Sequence, residues 1–184
     1  MTPDSDDVAA AVVTRVLTAP PTLGDGRLVC VDGPAGAGKS TLAGAVAGLA
    51  PTAVVVHCDD LLQGWHGLPG LADTVSELLS PLAAGRPGQW RRWDWTADGW
   101  AETHTVEPGG LLVLEGVGSW SPGIASWVGA LVWVDAPSDL RLARGITRDG
   151  EGMRPQWIRW RRDEDELFAR LGTREQSDVV VTTG

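Results

Sequence analysis

The residues Gly33-Pro34-Ala35-Gly36-Ala37-Gly38-Lys39-Ser40 fit the pattern G-x-x-x-x-G-K-[ST]. Their types and spacing suit one task, cradling phosphate groups. Glycines let successive backbone N–H groups turn toward an anion, and a helix that follows adds its N-terminus. Lys39 is placed to reach the terminal phosphates, and the Ser40 hydroxyl to ligate Mg²⁺, with Thr41 beside it. The chain holds one lysine against fourteen arginines, and that lysine is Lys39. A composition bias explains why lysine is rare but not where the survivor sits.

Three further groups bear chemistry. Asp59 and Asp60 follow an apolar run, and carboxylates at the C-terminal end of a strand lie on the rim where open α/β sheets bind ligands. One of them, beside a terminal phosphate, can accept the proton of an attacking hydroxyl. Glu115 ends another apolar run and is positioned to hold a magnesium-bound water. Arg141, Arg144 and Arg148 stand at i, i+3 and i+7, so one helix face carries all three cations.

The elements around these residues alternate. Residues 6–18 have helical apolar spacing, with Ser5 or Asp6 as a cap. Apolar runs at 28–31, 53–56, 111–114, 131–134 and 179–181 read as buried strands. Helical stretches are expected from Lys39 to about Leu49, over 138–148 and over 155–171. Continuous apolar strands alternating with helices predict an α/β fold, a parallel sheet covered on both faces. Residues 61–109 are rich in Gly, Trp and polar groups, with one short helix near 74–82. The chain, 1–184, reads as a single domain in which 61–109 is an insertion building a substrate site.

Composition narrows the partners. Of the 184 residues, 43% are hydrophobic and 21% charged, ordinary values for a globular domain, and no run approaches a bilayer span. The formal charge of −9 argues against a nucleic-acid surface. The Met1-Thr2-Pro3-Asp4 start is unlike a signal peptide, so a cytoplasmic chain with no membrane partner is expected. Cys30 and Cys58 read as reduced, buried thiols. His57, His66 and His104 read as structural.

Without a lysine outside the loop, the Asn/Thr-Lys-x-Asp reader of guanine is absent, which argues against a GTPase. Beyond the loop, several short segments appear in a familiar order. They are Asp59-Asp60, Trp93-Asp94-Trp95, Leu114-Glu115-Gly116, Arg141 to Asp149, and Ser177-Asp178-Val179-Val180. With these the sequence resembles the uridine kinase and phosphoribulokinase branch of P-loop kinases over residues 28 to 182. The resemblance implies the P-loop NTPase fold, with a five-stranded parallel sheet in strand order 2-3-1-4-5 and a lid helix at about 138–154. It implies ATP and Mg²⁺ as cofactors and a small hydroxylated acceptor, nucleoside-like, vitamin-like or sugar-like, in a monomer or homodimer. Gly33, Ala35, Gly36, Ala37, Gly38, Lys39, Ser40, Thr41 and Arg144 would hold ATP. Asp59, Lys39, Arg144 and Arg148 would be catalytic, and Asp59, Asp60, Arg92, Trp93 and Asp94 would hold the acceptor. Ser40, and Glu115 through water, would serve the metal. Other P-loop nucleotide or small-molecule kinases, and a non-catalytic ATP-binding regulator, remain open readings.

The chain departs from the family at Arg144-Gly145, where two arginines are common, and at Leu61-Leu62, where aromatics are. Trp90, Trp93, Trp95 and Trp100 crowd a short stretch. They suit either a site for a ring or sugar or a small hairpin that uses tryptophan for core. Glu164 falls in the middle of an apolar stripe formed by Trp157, Trp160, Leu167, Phe168 and Leu171. A carboxylate there is costly unless paired, which predicts an arginine partner, one from the lid being a candidate.

Overall fold

The computed structural model describes residues 5–184, so the Met1-Thr2-Pro3-Asp4 start lies outside the described residues. Seven strands are β1 (Arg27–Asp32), β2 (Val54–His57), β3 (Gly88–Asp94), β4 (Gly99–Val106), β5 (Leu111–Glu115), β6 (Ala130–Asp135) and β7 (Val179–Thr182). The helices are α1 (Ser5–Thr18), α2 (Lys39–Leu49), α3 (Cys58–Leu61), α4 (Leu71–Ala83), α5 (Ser138–Asp149), α6 (Arg154–Leu171) and α7 (Thr173–Gln176). Five strands form one sheet in the order β2-β5-β1-β6-β7, with every neighbouring pair parallel. The labels differ from the expected order because the hairpin β3-β4 takes two numbers. Counted alone, the five strands run second, third, first, fourth, fifth.

Alternation along the strands divides the core. Leu28, Cys30, Leu112 and Leu114 face one side, where they join leucines of α4 and Trp160 and Leu167 of α6. Val29, Val31, Val113 and Val132 face the other, against Val8, Val12 and Val16 of α1 and Leu42 and Val46 of α2. The central strands β1, β5 and β6 are buried on both faces, which is why they read as unbroken apolar runs, whereas the edge strands β2 and β7 are partly exposed. Among the described residues, no helix is long and apolar enough to cross a membrane.

The region from 61 to 109 is richer than expected. Instead of one short helix it contains α4, two 3-10 turns and the antiparallel hairpin β3-β4. Helix α4 starts at Leu71, directly after the turn over Leu68–Gly70. Its apolar side, Leu71, Val75, Leu78, Leu79 and Leu82, belongs to the same core cluster as β1 and β5. In the hairpin, Trp93 is buried edge-to-face on Trp100 with ring centroids 5.1 Å apart, and Trp90 stacks on His104 at 5.0 Å. Tryptophan therefore serves as the hairpin's own packing material.

Candidate active site

The loop between β1 and α2 is held from outside by its carbonyls. Lys39 Nζ donates to Pro34 O at 3.0 Å, Arg144 Nη1 to Gly36 O at 3.0 Å, and Thr183 Oγ1 to Ala37 O at 2.8 Å. At Gly36 the backbone adopts φ +78°, and a Cβ there would stand 2.6 Å from Arg141 O, so only glycine fits. No side chain caps the start of α2, whose N-terminus opens toward the loop.

The loop lines a cavity of about 1150 Å³ together with both strand-end acids and the arginines of α5. Ala35, Gly36, Gly38, Lys39, Ser40 and Thr41 line it, and so do Asp59, Asp60, Glu115, Arg144 and Arg148. Gly33, Pro34 and Ala37 do not. Gly33 backs onto Val134, and Ala37 is fully buried with its N–H donating to Pro34 O at 3.3 Å.

Ser40 Oγ donates to Glu115 Oε1 at 3.0 Å, and His57 Nδ1 stands 2.5 Å from the same oxygen. The β2-β5 register sets His57 opposite Glu115. Burial alone pushes the Glu115 carboxyl up, but the hydrogen bond from His57, with the charges of Lys39 and His57, brings it below its usual value. That hydrogen bond also raises His57 above its ordinary pKa. A hydroxyl and an ionised carboxylate side by side form an oxygen donor set suited to Mg²⁺. His57 therefore contacts Glu115, and only long-range register brings it there.

Asp59 and Asp60 sit in the first turn of α3, directly after β2. The Asp59 side chain is open to the cavity, yet protein surrounds it on most sides. Burial pushes its carboxyl up, the charge of Lys39 opposes this, Glu115 adds to it, and Arg148 and His57 also pull it down. Asp60 is likewise raised by burial. Trp95 of the hairpin donates its Nε1–H to Asp59 O at 3.1 Å, fixing the turn that carries both acids.

The expected acceptor set is only partly assembled. Asp59 and Asp60 line the cavity, whereas Arg92, Trp93 and Asp94 do not. Asp94 Oδ1 accepts the N–H groups of Thr96 and Ala97, both at 2.9 Å, so its carboxylate closes the hairpin turn and sits below its ordinary pKa. Arg92 pairs with Glu102 at 2.7 Å, and Trp93 points into the hairpin core. In their place the hairpin offers Trp95 and Thr96, beside Leu62, Trp65, Trp157 and Trp160. Trp65 meets Trp95, Trp157 and Trp160 edge-on at 5.6, 6.1 and 5.9 Å.

The arginine face of α5 divides three ways. Arg144 holds the loop and the end of β7, with Nη1 on Thr183 Oγ1 at 3.1 Å and Nη2 on Gly184 O at 3.0 Å. Arg148 pairs with Asp149 at 2.7 Å and lies over the Trp157 ring at 5.6 Å. Arg141 turns inward to Glu164, with Nη1 to Oε1 at 2.8 Å, which is the lid partner expected for that acid.

Asp32 carries a role that its position in the sequence did not signal. Fully buried, it accepts the N–H groups of Gly33, Gly118 and Trp120 at 2.7, 2.9 and 3.0 Å. It thereby ties the loop that starts at Gly33 to the loop after β5. Burial raises its pKa to about 6, against the pull of those three hydrogen bonds. Cys30 and Cys58 are free and buried, and burial raises both thiols well above their usual range.

Two solved structures share this fold. A protein provisionally identified as a uridine kinase from Bacillus stearothermophilus superposes with a TM-score of 0.64 at 19% identity, covering 97% of each chain. A protein provisionally identified as a fructose transport system kinase from Silicibacter sp. TM1040 gives a TM-score of 0.65 at 18% identity, covering 97% of this chain and 98% of the other. The fold is that of the P-loop kinases. No protein-family model and no curated protein matches the sequence. At these identities the P-loop kinase likeness speaks for the fold, and the chemistry rests on the residues that the fold brings together.

Proposed function

We propose that the protein is an ATP-dependent phosphotransferase that moves the γ-phosphate of ATP to a hydroxyl of a small molecule. One observation carries this reading: the loop with Lys39, the Ser40–Glu115 pair and Asp59 open onto one cavity of about 1150 Å³. That volume suits a nucleotide and a small acceptor together. Gly36, Gly38, Lys39, Ser40 and Thr41 hold the phosphates, and Arg144 and Arg148 stand where transferring charge needs neutralising. Ser40, and Glu115 through water, would hold Mg²⁺, which would supply neutralisation of phosphate charge.

The acceptor oxygen attacks the γ-phosphorus and forms the new O–P bond. The bond to the β–γ bridging oxygen breaks, ADP leaves, and Asp59 takes the hydroxyl proton. A carboxyl raised by burial is a stronger base than a free one, which suits Asp59 to that task.

The acceptor side of the cavity is acidic and aromatic. Asp59, Asp60, Trp65 and Trp95 line it, and Arg92 is held away by Glu102. This favours a neutral or cationic acceptor with a flat or apolar part, nucleoside-like, vitamin-like or sugar-like, over one already phosphorylated. The test is ATP consumption by wild type and Asp59→Asn across nucleosides, vitamins and sugars, each beside its phosphorylated form. An unphosphorylated acceptor consumed by wild type and far more slowly by the variant supports the reading. ATP binding with no transfer to any acceptor refutes it in favour of a non-catalytic ATP-binding protein.

A further inference from the structure

Glu164 is the one acid on the buried side of α6. It is 0% exposed among Trp157, Trp160 and Leu167. Desolvating a carboxylate costs several kcal/mol, so a leucine would serve packing better. Its two oxygens have different partners. Oε1 takes Arg141 Nη1 of α5 at 2.8 Å, and Oε2 takes the backbone N–H of Ala35 at 2.8 Å. Arg141 is pinned in turn, its Nε donating to Ala136 O at 3.1 Å. One carboxylate thus joins α5, α6 and the loop that precedes α2.

We infer that Arg141 and Glu164 form a positioning pair that fixes the Pro34–Ala35 peptide and so preshapes the phosphate loop against α5. The inference rests on reading residues 33–40 as a nucleotide-phosphate loop. The neighbouring loop carbonyls, Pro34, Gly36 and Ala37, are held by Lys39, Arg144 and Thr183. Glu164 supplies the matching restraint on an N–H group, from a helix distant in sequence from the loop. Arg141 O also packs against Gly36, so any movement of α5 is felt by the loop.

A merely structural pair and a positioning pair separate in the double variant Arg141→Met with Glu164→Leu. Replacing both ends of a buried ion pair by apolar groups generally spares stability, whereas removing one end does not. The double variant should melt close to wild type, and Glu164→Leu alone well below it. Because the Ala35 N–H loses its acceptor, the double variant should bind ATP roughly three- to tenfold more weakly by calorimetry, the scale of one lost hydrogen bond. Hydrogen exchange at the Ala35 amide should be slow in wild type and fast in the double variant. Should the double variant not fold, Glu164→Gln serves. Its one accepting oxygen is drawn to the Arg141 guanidinium, which leaves its NH2 facing the Ala35 N–H, donor against donor, and the same loss of affinity is expected. Either variant, folded and binding ATP with wild-type affinity, overturns the positioning role. If wild type itself binds no ATP, the phosphate-loop reading falls. Exchange at Ala35 still reports on the restraint, and an amide unprotected in wild type overturns that too.

Discussion

Gly145→Ala sets two well-known effects against each other. In an open helix, alanine stabilises relative to glycine by about 1 kcal/mol. Gly145, however, lies in α5 flat against the Trp157 ring, where an added Cβ would stand 2.5 Å from two ring carbons and 2.8 Å from a third. Ordinary carbon contacts are about 3.5–4.0 Å, so the ring must retreat by about 1 Å. Trp157 is 3% exposed, on a helix anchored by Trp160 and Glu164, and its ring cannot retreat without disturbing its edge-on contact with Trp65. Overpacking of this kind costs about 1–3 kcal/mol. The retreat also strains the Trp157 Nε1–Asp149 hydrogen bond of 2.9 Å and the Arg148 contact over the ring. Each of those is worth about 0.5–1 kcal/mol. The balance is a loss of about 1–4 kcal/mol, or a melting temperature lower by roughly 2–16 °C at this chain length. Urea and thermal unfolding of the two proteins measure it. A variant more stable than wild type by about 1 kcal/mol would refute the reasoning, since the helix effect would then act alone.

Lys39→Ala should weaken ATP binding or abolish transfer while the circular dichroism spectrum stays native; a variant with full transfer activity would sink the assignment. Asp59→Asn should slow single-turnover transfer by about 10²–10⁴-fold with ATP affinity little changed, and Asp60→Asn should do less. The reverse ranking would exchange the two roles. Asp32 gives a pH signature. Its folded pKa of about 6 is raised above the ordinary value of 3.8, so its contribution to stability is full below pH 3.8 and is lost as pH rises through about 6. A shift of this size is worth about 3 kcal/mol. Asp32→Asn lacks that slope, so the stability advantage of wild type over it should shrink between pH 4.5 and 7 in urea titrations. An advantage that stays flat or grows would refute the shift.

What could be read in advance was local. The phosphate loop is eight contiguous residues, and its glycines, lysine and serine act through their own backbone and the next helix. Asp59 and Glu115 were legible because an acid at the end of an apolar run marks a sheet's ligand rim. Glu164 was legible because an acid interrupting an apolar stripe must find a cation. Asp32 has the same strand-end position, but its donors Gly118 and Trp120 lie more than eighty residues away. The pairing of His57 with Glu115 likewise depends on which strands become neighbours. In the hairpin the deciding detail is a register shift between Arg91 and Trp93. A bulge changes which side chains share a face. Beyond it Trp93 turns to the hairpin core, Asp94 closes the turn, and Trp95 and Thr96 reach the cavity.

Charge is sorted in a way that the net value of −9 conceals. Lys39, Arg144 and Arg148 bring cations to the cavity from the loop and α5, where Glu115 and Asp149 also line it and Asp149 pairs with Arg148, while Asp59 and Asp60 stand on α3. Arg141 adds none, since Glu164 neutralises it underneath the loop. A walled cleft focuses the field of a few charges, so the proposed phosphate site does not require a net positive charge on the protein as a whole. The departure at Gly145 belongs to the same economy. A second arginine at that position would collide with Trp157, the ring that keeps Arg148 at the cavity mouth. Glycine gives up one cation in the lid and, by admitting the tryptophan, fixes the direction of another.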